Sequence, residues 1–297
     1  MKKLLLASLI SGAVLLSACD DKSAETVKQQ TQQIAELTEQ LKQAQENQAI
    51  IPNNEDIFVR KERFMVKDEG AKEASDRAVG VTVRTQATNY PWLNKLLFDY
   101  LAAQVSDESD IEPNTKPKKI ETPEQLIKAL EKIYAEGVKM VKEEGAFGYD
   151  YLSTINFVSQ RHNIATFYND YYVYGGGAHG LGNNEYIVVD LAAQKRLTVQ
   201  DLFNKEQLEK IKEILWQQNV DTRGKEDAES FMPKADFYVS ENFYLDGSGV
   251  HFLYDHYVLG PYAEGQPELT IYWSQLVLDK LIDPKWSPMI FTENDYH

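Results

Sequence analysis

The chain has 297 residues, with 31 Lys and Arg against 46 Asp and Glu, a formal net charge of −15. That balance disfavours nucleic acid and anionic lipid heads, and favours a cationic partner through steering; plain solubility is the commoner use of an acidic surface. A single cysteine, Cys19, rules out any disulfide within the chain.

The first residues read as a processing signal. Lys2 and Lys3 precede an apolar run over residues 4–16, too short for a comfortable transmembrane helix and suited to a signal-peptide core. Leu16, Ser17, Ala18 and Cys19 follow in the order of a lipobox. This resembles the bacterial lipoproteins, in which the signal is cut before the cysteine and the cysteine is acylated. The resemblance implies a signal over residues 1–18, lipidation (palmitate included) at Cys19, and a membrane partner through that anchor, facing the periplasm. Several acyl chains give stable anchoring where one is marginal. Asp20 and Asp21 resemble the inner-membrane retention signal of enteric lipoproteins; the outer membrane stays open. Cleavage removes Lys2 and Lys3 from the 31 basic residues, leaving 29 against 46 acidic ones and a charge of −17.

Residues 19–54 form the next segment, rich in Gln, Glu, Lys and Ala. Val27, Ile34 and Leu41 recur every seven residues, interrupted by Gln30 and Gln48. This weak heptad predicts a helical or partly disordered stalk, with a homo-oligomer through it as one expectation. Pro52, Asn53 and Asn54 end it.

The remainder divides into 55–150 and 151–297. Val79, Val81 and Val83 alternate with small or polar residues, the period of a half-buried strand. Trp92, Leu93, Leu96, Leu97, Tyr100 and Leu101 repeat at helical spacing after Pro91. Residues 106–119 read as an exposed loop. Thr122, Pro123 and Gln125 start a second helix as N-cap, first-turn proline and capping-box residue, with Leu126, Leu130, Ile133, Tyr134 and Val141 on one face. Strand-like residues then dominate 151–174, and residues 186–191 read as a strand. A further helix carries Leu208, Ile211 and Leu215. Strands expected over 237–245 and 250–257 flank Asp246, Gly247, Ser248 and Gly249, which mark a hairpin, and 269–273 is a last strand. Helices interrupting antiparallel strand pairs predict an α+β fold with a mixed or antiparallel sheet.

The most distinctive stretch is residues 169–190, an aromatic run and a β-branched run flanking Gly175, Gly176, Gly177, Ala178, His179 and Gly180. The flanks favour strands and the glycines permit a tight turn. The expectation is two strands joined by a glycine turn displaying one histidine, either a plain hairpin or a binding loop. The lack of a following Lys-Ser or Lys-Thr and of a helix pattern argues against a phosphate loop.

The run from Tyr174 to Gly180, then Leu197 to Phe203, Asn242-Phe243-Tyr244, and Leu259-Gly260-Pro261-Tyr262-Ala263-Glu264-Gly265 resembles the DUF3298 domain over about residues 151–281. That domain is found in RsiV-type anti-sigma factors and some peptidoglycan deacetylases. More loosely, residues 79–105 with Tyr90-Pro91 resemble the DUF4163 segment that often precedes it. The resemblance implies an extracytoplasmic α+β module without an established catalytic role, which in the RsiV-type receptors binds lysozyme.

The leading expectation is therefore a lipid-anchored periplasmic binding module of the cell envelope, taking a lysozyme-like cationic protein or a cell-wall component such as peptidoglycan. Candidate ligand-binding residues are Tyr174, Gly176, Gly177, His179, Pro261 and Tyr262, whose aromatic and glycine-rich loops suit a contact surface. No catalytic residue, metal ligand or cofactor is assigned. The alternatives are a peptidoglycan hydrolase or deacetylase drawing on His162, His179, His251, His256, Asp255 and Glu185, or a structural envelope lipoprotein oligomerising through its stalk. No His-Glu-x-x-His or Gly-x-Ser-x-Gly constellation supports the former.

Overall fold

A computed structural model describes residues 30–34, 48–109 and 119–289. The signal, Cys19, most of the stalk and most of the 106–119 loop lie outside the described residues. The chain divides into two compact units, Met1–Gln48 and Ala49–His297. In the first, residues 30–34 are helical.

The second unit is α+β. A six-stranded mixed sheet runs in the order β1 (Asn53–Val66), β2 (Ser75–Ala87), β3 (Tyr149–Arg161), β4 (Ile164–Tyr174), β5 (Leu181–Asp190) and β6 (Lys195–Arg196). Every neighbouring pair is antiparallel except β2 with β3. A parallel pair needs a long crossover, and two helices supply it: α1 (Pro91–Ser109) and α2 (Pro123–Glu143). The expected capping box starts α2, with Thr122 accepting from the Gln125 amide at 3.3 Å and the Gln125 side chain accepting from the Thr122 amide at 3.2 Å. The longest strand, β1, had no counterpart among the predicted elements.

Period-two alternation sends the sheet's side chains to two cores. Val79, Val81 and Val83, with Tyr151, Ile155, Ala165, Phe167, Ile187 and Val189, meet Leu93, Leu97 and Leu101 of α1 and Leu126 and Leu130 of α2. Ile164 and Val188, one position out of step with Ala165 and Val189, point to the other core instead. That core belongs to the rest of the chain: short α3 (Val199–Leu202), α4 (Lys205–Arg223), α5 (Lys225–Phe231), a three-stranded antiparallel sheet of β7 (Phe243–Leu245), β8 (Gly249–Leu253) and β9 (Glu268–Tyr272), and α6 (Trp273–Leu278). The β4–β5 end of the large sheet is thus held between two cores, which makes it the rigid part from which the connecting loops project.

The predicted turn at Asp246–Gly249 forms. Asp246 Oδ1 accepts from the amides of Ser248 (2.7 Å) and Gly249 (3.2 Å) and from the Ser248 hydroxyl (2.7 Å). The strand expected over 237–245 shrinks to Phe243–Leu245; Phe237 is buried as a core ring outside the sheet. Gly249 permits a close approach, since a Cβ there would lie 2.2 Å from the Ile271 carbonyl oxygen of β9. Gly249→Ala must push two paired strands apart, and is expected to lower stability by about 2–4 kcal/mol, read from denaturant titration.

Candidate functional site

The glycine turn forms as expected. Strands β4 and β5 pair from Ile164↔Asp190 to Val173↔Leu181, with residues 175–180 connecting them. Strand β5 begins five residues ahead of the predicted 186, because the small and polar Gly182, Asn183 and Asn184 are ordinary strand residues once β4 lies alongside. Two of the glycines are required by their surroundings. Gly176 sits at φ +84° and a Cβ there would meet Ala146 Cβ at 2.5 Å; at Gly180 a Cβ would meet the Tyr172 ring at 2.4 Å. Gly177 has open space around it, and its carbonyl accepts from the Tyr174 hydroxyl at 2.9 Å.

This packing delivers His179 to Tyr262. The two rings stack at 4.6 Å between centroids with 21° between planes. The Tyr262 hydroxyl donates to the Gly180 carbonyl at 2.9 Å, so the loop at 261–265 is tied to the glycine turn. Two rings absent from the predicted site complete the cluster: Tyr257 at 5.6 Å and His256 at 4.8 Å from Tyr262. His256 Nδ1 lies 3.0 Å from Asn183 Oδ1 of β5. His179 and Tyr257 are exposed and Tyr262 is half-buried. Pro261 is exposed beside them and opens the 3-10 turn Tyr262–Glu264, whose Glu264 amide donates to the Pro261 carbonyl at 3.1 Å. Glu264 is in an ion pair with Arg223 of α4, which fixes the far side of the turn.

Side chains also hold the first half of β5 in place. Gln266 accepts from the Asn184 amide (2.9 Å) and donates to its carbonyl (3.0 Å). Asn242 donates to the Asn184 carbonyl (2.7 Å) and accepts from the Tyr186 amide (2.9 Å). Two carboxamides thereby occupy an edge where a strand would otherwise dock. Carboxamides can both donate and accept, but nothing in the sequence pattern singles out Asn242 or Gln266 for this task.

Asp255 and Glu185 bring negative charge to the cluster. Burial pushes the Asp255 carboxyl above its ordinary value, the nearby Glu185 charge pushes it further, and His256 pulls it back in part. Among the described residues neither carboxylate is in an ion pair. Glu185 accepts from the Tyr100 hydroxyl of α1 at 2.5 Å, while Asn169 donates to that hydroxyl at 3.3 Å. Burial first, and Glu185 second, push the Tyr100 hydroxyl far up, so it stays a donor. An open hollow bounded by Leu96, Tyr100, Gln104, Glu185 and Arg196 adjoins this pair. Rings and carboxylates together attract cations, through the ring faces and by direct charge.

The four histidines weighed for catalysis do not converge. His179 and His256 share Tyr262. His162 sits at φ +52° in the β3–β4 turn. His251 is buried in the small sheet, stacked on Tyr244 at 4.3 Å and 4°, with Nδ1 2.8 Å from Glu268 and Nε2 2.9 Å from Asp246. Among the described residues no group of three or more His, Cys, Asp or Glu is placed to hold a metal ion.

The loops of this α+β scaffold thus bring a ring cluster beside two carboxylates that are in no ion pair among the described residues. The chain carries a DUF3298 domain: residues 200–274 match that family's profile, described as a protein of unknown function. The match takes in Asp255 to Tyr262 but begins beyond the glycine turn. Among solved structures the chain is similar to a DUF3298-family member from Bacteroides fragilis NCTC 9343, at 22% identity and TM-score 0.55, covering 80% of this chain and 96% of that one. It is also similar to a DUF3298-family protein from Pseudomonas aeruginosa PAO1, at 16% identity and TM-score 0.53, covering 84% and 100%. At these identities the likeness carries the fold alone. No curated protein matches the chain.

Proposed function

We propose that this chain is a lipid-anchored binding module of the cell envelope, held to the membrane through Cys19 and facing the periplasm. On this reading the surface around Tyr262 takes a basic envelope protein of the lysozyme type. One observation carries the reading: the clustered rings of His179, Tyr262, His256 and Tyr257 lie beside Asp255 and Glu185, carboxylates without an ion-pair partner among the described residues. Rigid rings that lose little entropy on contact, next to unneutralised charge, suit a Lys- or Arg-bearing partner. The formal charge of −15 adds long-range steering. Asp20 favours the inner membrane.

The test is binding of residues 49–297 to a c-type lysozyme at physiological salt, with muramidase activity followed in parallel. Tight, salt-weakened binding with loss of muramidase activity supports the reading; no binding at tens of micromolar removes it.

Asp255 offers a sharper check. Its folded-state value is raised, so its ionisation costs the folded protein stability. That cost is absent below the ordinary value near 4 and develops as pH rises through the raised value. Asp255→Asn is therefore expected to raise the unfolding free energy slightly at pH 7, by less than about 1 kcal/mol for so exposed a group, while weakening lysozyme binding. A variant less stable at pH 7 than the wild type would refute this account of Asp255.

A further inference from the structure

The outer strand β1 is unusual in length and in the order of its charges. At 14 residues it is more than twice the usual strand of about 5–6. Among the described residues it pairs with β2 along one edge only, at the end of the six-stranded sheet. Natural edges are commonly short or covered; this one is exposed at residues 53–56 and 59–63. Its sequence falls into three parts: acidic Glu55-Asp56, apolar Ile57-Phe58-Val59, and Arg60-Lys61-Glu62-Arg63, which is basic on balance because three cations outnumber one carboxylate. Val59 is 48% exposed although it is an apolar strand residue.

The local ion pairs leave some of this charge unmatched. Asp56 pairs with Arg84, Arg63 with Asp76, and Arg60 with Glu62. Glu55 and Lys61, which flank the apolar centre, are in no ion pair among the described residues; Lys61 is felt only as a modest pull on Asp150.

We propose that β1 is the docking edge for a second copy of this chain. The two β1 strands pair antiparallel about a two-fold axis near Phe58 and Val59, joining two six-stranded sheets into one. The order of charges selects this occupant. An antiparallel copy lays each acidic half along the other's basic half and meets apolar centre with apolar centre, whereas a parallel copy would set like charges side by side. A self-complementary patch closes at two copies and leaves no further edge at that end of the sheet. Main-chain hydrogen bonds along the edge supply affinity, and the charges set direction. This inference does not depend on the binding surface at Tyr262 or on any association through the stalk.

The experiment uses the chain from Asp20 onward, which keeps residues 49–297 and both of their cores intact. Two charge-reversed forms are made, Lys61→Glu with Arg63→Glu, and Glu55→Lys with Asp56→Lys. Arg60 is left alone because its guanidinium lies 4.0 Å over the Tyr134 ring. Circular dichroism and the unfolding midpoint confirm that each form is folded. Sedimentation is expected to show a wild-type dimer at tens of micromolar and each reversed form dissociating at least about ten-fold more readily. An equimolar mixture of the two reversed forms, one carrying a fluorescent label, is expected to recover the dimer as a mixed pair. A wild type that is monomeric at about 100 µM, a dimer indifferent to both reversals, or a mixture that stays monomeric would each overturn the proposal. Indifference to the reversals would place association elsewhere in the chain.

Discussion

Tyr262→Ala is expected to weaken capture of a c-type lysozyme by about thirty-fold while hardly moving the unfolding midpoint. The tyrosine is the hub of the surface: His179, His256 and Tyr257 all contact its ring, and its hydroxyl ties the 261–265 loop to the Gly180 carbonyl. Truncation removes the central ring and leaves the flanking three without a common support. Loss of a central aromatic anchor typically costs about 2 kcal/mol or more in binding, which is roughly thirty-fold in Kd. The fold is spared because the ring is half-buried and outside both cores. Tyr262→Phe separates the two roles. It keeps the stacks and loses the tether, so its Kd should fall between wild type and alanine. Isothermal titration of the three proteins decides it; equal affinity for all three would exclude Tyr262 from the binding surface.

The two halves of this surface were legible in the sequence to different degrees. The glycine turn stood out because aromatic and β-branched runs flank it, and the 261–265 loop because prolines and glycines punctuate it. That the two loops touch was not legible, since 82 residues separate Gly180 from Tyr262 and only the fold brings them together. His256 and Tyr257 fell within a predicted strand; β8 ends at Leu253 instead, and the turn that follows swings both rings onto Tyr262. The α+β class and α2 were readable because valine alternation and a capping box are local signals. Strand β1 was not. Its charged residues break the alternation, and the bulge at Ile57, between the pairs Asp56↔Arg84 and Phe58↔Val83, shifts the side chains by one position midway. A period-two reading cannot follow a strand that changes phase at its centre.

The same limit of local reading applies to His251, which looked like one of several loosely placed histidines and is in the structure the keystone of the small sheet. Its ring is buried and lies flat against Tyr244. Nδ1 faces Glu268 at 2.8 Å and Thr270 at 3.0 Å on β9, while Nε2 faces Ser248 and Asp246, each at 2.9 Å, in the β7–β8 turn. One side chain therefore joins the hairpin to the strand beside it. His251→Ala removes the stack, opens a cavity and leaves Glu268 and Asp246 without their shared partner, and is expected to cost about 2–4 kcal/mol of stability. The acid limb of the stability curve tests the same assembly. Burial pushes the Asp246 carboxyl up, but hydrogen bonds from the Ser248 hydroxyl and amide and from His251 outweigh it and hold it below its ordinary value. A carboxyl lowered on folding stabilises the protein fully above its unfolded value, near 4, and that stabilisation is lost as pH falls through the lower folded value. Wild-type protein should thus lose this stabilisation below about pH 4, and Asp246→Asn should be less stable at pH 7 yet show a shallower acid limb. Unfolding midpoints from pH 2 to pH 7 for wild type, Asp246→Asn and His251→Ala provide the comparison. If Asp246→Asn followed the wild-type acid limb unchanged, the histidine would be packing against the turn without holding its charge.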